Sequence, residues 1–159
     1  MRHLVITAIA AGVIGAPAFA DHHGEAALDP EAVIAGIYEA FAAGDPESFA
    51  AALHPDIVWN EAEGNTYADN NPYEGPQAVM EGVIGRVVTD WNGFTATPEE
   101  MISQGDRVVV LGRYTGEYGA TGKPIDAQMV HVWTVADGQA IRFQQYVDTL
   151  QLRTAETPD

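Results

Sequence analysis

Three side chains in this sequence carry acid–base chemistry at spacings that could bring them together: Glu61, His131 and Asp148. His131 and Asp148 fall in the stretch 129–148, MVHVWTVADGQAIRFQQYVD. It reads as two strands, 125–135 and 140–150, joined at Asp137-Gly138. A two-residue loop sets His131 opposite Gln144, and alternation puts Asp148 on the same face as Gln144. The two groups are then roughly 13 Å apart along a straight strand, so a ligand bridging them fits better than a direct hydrogen bond. Glu61 follows Trp59 by two residues in DIVWNEAE (56–63), whose alternation gives Trp59, Glu61 and Glu63 one face. Glu63 reads as a solvated edge residue. A carboxyl walled by Trp59 and Trp133 has its pKa raised by desolvation, as a general base needs. Arg113 either anchors an anionic substrate or pairs with Asp148 or Glu61. The competing reading of the whole set is a satisfied buried network without chemistry.

These side chains need a scaffold. Asp29-Pro30-Glu31 is a helix start, with apolar residues recurring from Val33 to Phe41 and a stop at Gly44. Tyr38 lies on that apolar stripe, as core or as a hydroxyl aimed into a pocket. Asp45-Pro46-Glu47 restarts a shorter helix through Leu53, closed by His54-Pro55. The loop 64–75 is dense in turn formers, with Tyr67 and Tyr73 its large side chains, and reads as a lid or binding loop. A third helix spans 76–89, weakened or closely packed at Gly82 and Gly85. Strands follow at 94–104, interrupted at Pro98, and at 107–117, ahead of the final hairpin. Residues 153–159 read as a frayed polar tail. This order predicts one α+β domain, 29–152. A strongly curved antiparallel sheet wraps against the helices and leaves a conical apolar pocket. Gly112 and Gly116 would let a strand bend.

Composition narrows the function. Lys and Arg number 7 against 23 Asp and Glu, a net charge of −16. Such a chain repels phosphate backbones and anionic headgroups, which argues against nucleic acid and peripheral membrane binding. The absence of Cys excludes thiol nucleophiles and thiolate metal sites. Residues 1–20 read as a signal peptide: Arg2, an apolar run from Leu4 to Ala16, and Ala18-Phe19-Ala20 as the cut site. Cleavage after Ala20 predicts a periplasmic or secreted protein with a mobile leader, 21–28. Its new terminus, Asp21-His22-His23, has the pattern that wraps Cu(II) or Ni(II). No other metal centre and no cofactor are expected.

The chain resembles the nuclear transport factor 2-like superfamily, in the group of ketosteroid isomerases and SnoaL-type polyketide cyclases. The resemblance is carried by YEAF leading to Gly44-Asp45, by HPDIVW (54–59), YEGPQAV (73–79) and GDRVV (105–109), and by His131-Val132-Trp133 through Asp137-Gly138 to Tyr146-Val147-Asp148. It implies a conical α+β barrel with three helices in the N-terminal half enclosing a pocket. It places the isomerase base position at Glu61, the acidic oxyanion donor at His131, an active-site Trp position at Asp148 and the oxyanion Tyr at Ile37. Both oxyanion donors differ, so steroid isomerisation itself is not implied. The His and Asp of the cyclases match His131 and Asp148. What the resemblance implies is proton transfer on a small hydrophobic carbonyl compound, with Asp148 or Glu61 as base. His131 then donates to an enolate oxygen or shuttles a proton. Trp59, Trp133, Tyr38, Arg113 and Tyr146 would line the substrate site. It also implies a homodimer through the outer sheet face, where Val130, Val132, Ile141 and Phe143 would lie. The alternative is a non-catalytic protein that binds a small ligand or serves as a dimeric scaffold.

Overall fold

The computed structural model describes residues 28–159; the leader, its cut site and Asp21-His22-His23 lie outside the described residues. Helix α1 (Pro30–Ala43) starts where Asp29 accepts from the Glu31 amide and stops at Gly44, left-handed at φ 64°. A residue with a Cβ is strained there, so glycine ends the helix. Helix α2 (Pro46–Ala51) is capped by Asp45 and is shorter than its sequence suggests, because Leu53 already belongs to strand β1 (Leu53–Asn60). A short turn of 3-10 helix (Thr66–Asn70) and strand β2 (Tyr73–Glu74) occupy the loop. A continuous helical rod follows, made of α3 (Pro76–Val79), a π turn (Met80–Ile84) and α4 (Gly85–Asp90).

Strands β3 (Trp91–Gln104), β4 (Arg107–Tyr118), β5 (Pro124–Ala136) and β6 (Gln139–Val147) run antiparallel in succession. β1 joins β6 in parallel, giving one six-stranded sheet in the order β2-β1-β6-β5-β4-β3. The sheet curves but does not close. β2 and β3 remain its edges, so the expected barrel is an open, bent sheet. Bulges in β3 and in the β5–β6 pair supply part of the bend. At Gly112 a side chain would collide with the Thr97 carbonyl and with the Met129 methyl, 2.7 Å away. Only glycine lets the neighbouring strands close over that point.

The concave face carries the core: Val108, Val110, Met129, Trp133 and Phe143 from the sheet meet Ile34 and Ile37 of α1. The C-terminus departs from the expected frayed tail. Thr149–Glu156 is helix α5, with Leu152 and Ala155 buried. Its start was legible as Asp148-x-x-Gln151, since Asp148 accepts from the Gln151 amide and side chain at 3.2 and 3.0 Å.

Candidate functional site

Between α1, the helical rod and the concave sheet lies a cavity walled mostly by aromatic rings, among them Tyr38, Trp59, Trp91, Phe94, Tyr114 and Trp133. Its free volume is about 60 Å³. That is below the ~150 Å³ of an engineered apolar cavity that takes up benzene, so a ring-bearing ligand must displace part of the wall. Val83 and Ile84, on the π turn, form one stretch of that wall. π turns of this kind recur at functional sites.

Polar groups line this apolar space in one connected chain. Glu61 sits just past the end of β1, only 2% exposed. Trp59 Nε1 donates to its Oε1 at 2.7 Å, and Asn65 Nδ2 donates to its Oε2 at 2.8 Å. Burial pushes its carboxyl up to about 7, against the pull of the Trp59 bond. Asn65 Nδ2 also donates to Gln145 Oε1 at 2.9 Å, and Gln145 Nε2 donates to the Tyr114 hydroxyl at 3.1 Å. The Tyr114 and Tyr38 hydroxyls then clamp His131, at 2.6 Å from Nε2 and 2.6 Å from Nδ1. Trp133 Nε1 closes the chain by donating to the Tyr38 hydroxyl at 3.3 Å. Burial holds His131 down at about 3, so the imidazole is neutral, and it raises both phenols above their ordinary range.

The protons of this chain can be counted. The Ala62 backbone amide donates to Gln145 Oε1 at 3.1 Å, which fixes the amide so that its NH₂ faces Tyr114. The indole of Trp133 can only donate. Each tyrosine oxygen therefore already accepts one bond before His131 is considered. A neutral imidazole has one N–H and one acceptor. If Nε2 carries the proton, Tyr38 donates to Nδ1 and Tyr114 accepts twice, leaving the Tyr114 proton without a protein acceptor. If Nδ1 carries it, the same holds for Tyr38. In either tautomer one phenol O–H on the cavity wall is available to a ligand.

The expected residues divide sharply. Glu61, His131, Trp59, Trp133 and Tyr38 all line the cavity. Asp148, Arg113 and Tyr146 do not. Asp148 is an exposed cap of α5, its carboxyl held below the usual range by Gln151. Arg113 pairs on the outer face with Asp126, and Tyr146 is 57% exposed. One cause covers Tyr146 and Asp148, which follows β6: a bulge where β5 pairs β6, between Thr134 and Val135, shifts the register, so His131 faces Gln145 rather than Gln144. Every side chain of β6 beyond it changes face. Phe143, expected outside, stacks on Trp59 with centroids 3.7 Å apart. At the position expected to carry an oxyanion Tyr, Ile37 is a buried apolar residue of the cavity wall, and it is the next residue, Tyr38, whose hydroxyl reaches His131. Tyr114, Gln145 and Asn65 were not anticipated. Alternation along β4 offered Tyr114, since Arg113 and Tyr114 must point to opposite faces. Nothing local marked Gln145 or Asn65. No group of three His, Asp or Glu side chains gathers as metal ligands do among the described residues.

Comparison with known proteins matches the SnoaL-like domain model to residues 34–143. An NTF2-like protein from Burkholderia thailandensis superposes with a TM-score of 0.77 at 32% identity, covering 81% of this chain and 98% of that one. TerC, co-crystallised with polyporic acid, superposes with a TM-score of 0.72 at 31% identity, covering 80% of this chain and 98% of its own. IdmH from Streptomyces antibioticus, a candidate polyketide cyclase, shares the fold, with a TM-score of 0.67, 22% identity and coverage of 80% and 98%. No curated protein matches the sequence.

Proposed function

This chain belongs to the SnoaL-like domain family of NTF2-like fold, and we propose that its cavity moves a proton on a small hydrophobic carbonyl compound. The reaction is of isomerase, cyclase or dehydratase type and uses the chain's own acid and base groups. One observation carries the reading: a buried carboxyl and a phenol proton without a protein acceptor line one cavity. The substrate carbonyl accepts the free phenol proton of Tyr38 or Tyr114. The Glu61 carboxylate removes a proton from the adjacent carbon, and the enolate oxygen is held by the phenol in water-poor surroundings. Protonated Glu61 then returns the proton elsewhere on the substrate. His131 stays neutral and holds both phenols, and it donates through Tyr114 or Tyr38 rather than directly. Trp59, Trp133 and Tyr38 shape the substrate space.

The test is exchange of α-hydrogen for deuterium in a panel of hydrophobic ketones, followed by proton NMR. Glu61→Gln is expected to slow exchange about 10²–10⁴-fold, the worth of a positioned base. Tyr38→Phe and Tyr114→Phe singly should cost far less than together, because either phenol can present the free proton. Exchange no faster than buffer, or equal rates for wild type and Glu61→Gln, would remove the proposal. A second reading has its own support: each polar side chain of the connected chain has at least one protein partner. A non-catalytic ligand-binding pocket has the same property, and it would show binding without exchange.

Two wider inferences complete the proposal. Residues 1–20 direct export, with cleavage after Ala20, so intact mass of protein from the periplasmic fraction should begin at Asp21. Two copies associate through the outer sheet face, along cross-strand rungs Ile102–Val109–Val132 and Leu111–Val130–Tyr146.

A further inference from the structure

The charge of the cavity wall is one-sided. Glu61 is its one carboxyl, and no Lys or Arg lines it among the described residues. His131 is kept neutral by burial. Four of the six described basic side chains are paired elsewhere, Arg86 with Asp69, Arg113 with Asp126, Lys123 with Asp159 and Arg153 with Glu156, and the other two, Arg107 and Arg142, are exposed and away from the cavity wall. Arg86 touches the far wall through the Tyr67 ring, 4.9 Å from its centroid, without lining the cavity, and Asp69 balances it at 2.9 Å. The chain as a whole carries −16. An anion entering here would leave water for ring faces of like polarity, with no counter-charge to receive it.

A cation meets the opposite conditions. Tyr38, Trp59, Trp91, Phe94, Tyr114 and Trp133 surround the space, and ring faces attract positive charge, most strongly when it is desolvated. Both Glu61 oxygens already accept N–H donors, from Trp59 and Asn65, so the ionised carboxylate is pre-organised to face a cation. We propose that the cavity selects ligands by charge: an apolar molecule carrying an alkylammonium group is taken in preference to its neutral isostere, and carboxylates, sulfonates and phosphates are refused. This names the substrate class of the site assigned above to proton transfer, and rests on that site: an amine-bearing hydrophobic carbonyl compound. A nearby positive charge also makes the carbon acid stronger, which suits a carboxylate base.

Three probes of one shape decide it: phenyltrimethylammonium, tert-butylbenzene and benzenesulfonate. Each carries a phenyl ring and a tetrahedral head. Binding is read from tryptophan fluorescence, since Trp59, Trp91 and Trp133 all line the cavity. The ammonium should bind about tenfold or more tighter than the hydrocarbon, and the sulfonate weakest of the three. In Glu61→Gln the advantage of the ammonium should fall to about twofold while hydrocarbon binding persists. Equal affinities, a sulfonate that binds best, or no binding by any probe overturns the inference. So does an unchanged ammonium preference in a folded Glu61→Gln protein; should that variant not fold, the wild-type ranking decides alone. The two proposals fail separately. A correct ranking without α-hydrogen exchange removes only the proton transfer, and exchange with the wrong ranking removes only the charge selection.

Discussion

Glu61 and His131 share one cavity and are displaced by the same cause in opposite senses. Burial raises the Glu61 carboxyl from 4.5 to about 7 and lowers the His131 imidazole from 6.5 to about 3. The consequences for stability have opposite signs. Between pH 4.5 and 7 the unfolded chain gives up the Glu61 proton first, so the fold loses stability as pH rises, by about 3 kcal/mol in all. As pH falls, His131 takes up a proton first in the unfolded chain, so its contribution is lost as pH falls from 6.5 towards 3. Across the overlap the two slopes oppose each other, and wild type alone would hide both. Urea unfolding of wild type and Glu61→Gln over a pH series separates them. The variant should gain on wild type by about 3 kcal/mol between pH 4.5 and 7, on top of a constant cost for its altered hydrogen bonds; parallel curves would show that Glu61 is not displaced. The same residues show what sequence could supply. Glu61 and His131 were legible as unusual polar residues beside tryptophans in alternating strands. Asp148 was misplaced because alternation is only as good as its register, and a single extra residue after the Asp137-Gly138 turn reversed it. Tyr114 and Gln145 gain their meaning from His131 and Asn65, partners far away in sequence.

At the scale of elements, most of the fold was written in local signals. Asp29, Pro30 and Gly44 bound α1, and hairpin turns bound β3 to β6, because caps and turns act over a few residues. The parallel pairing of β1 with β6, the π turn and the open sheet edge depend on packing between distant segments, which local periodicity does not encode. Two glycines show the difference. Gly36, exposed in the middle of α1, has no neighbour that an added methyl would meet. Gly36→Ala should therefore stabilise by about 0.5–1 kcal/mol, through helix propensity and a less flexible unfolded chain. Gly82 looks equally out of place in its helical rod, yet a Cβ there would run into the Tyr73 ring. That ring is held by its hydroxyl, whose one proton is shared between the Tyr67 carbonyl at 2.6 Å and Asp69 Oδ1 at 2.8 Å. Gly82→Ala should cost about 1–3 kcal/mol, the range for overpacking a fixed neighbour. Because Tyr67 lines the cavity, the variant should also weaken ligand binding, whereas Gly36→Ala should not. Thermal and urea unfolding of the pair, with probe titrations, tests both signs.

For the molecule as a whole, the open sheet leaves two edges and one uncovered face, and they differ in what they invite. β2 is two residues long, too short to template another strand. β3 is long, but Pro98 lacks an amide proton and sits beside a bulge, with Glu99 and Glu100 following. Edge-to-edge pairing is thus blunted on both sides. The convex face is different: Ile102, Val109 and Val132 form one cross-strand rung and Leu111, Val130 and Tyr146 the next, with Ile102 and Tyr146 52% and 57% exposed. Contiguous apolar rungs on a face are what a self-complementary two-fold contact uses. Charge would set the conditions under which the proposed dimer forms. Two copies at −16 each repel at long range, and with a Debye length of about 30 Å at 0.01 M salt against about 8 Å at 0.15 M, added salt should tighten the dimer. An interface built on salt bridges would weaken instead. Val132→Glu adds a charge at the centre of the first rung without touching the cavity wall. Sedimentation equilibrium should show wild type shifting from one-chain towards two-chain mass as salt rises. The variant should remain a folded single chain with wild-type probe affinity, because Val132 is not among the residues that line the cavity. A variant that keeps the two-chain mass would move the contact off this face, and one that loses probe binding while still folded would mean the cavity needs its second copy.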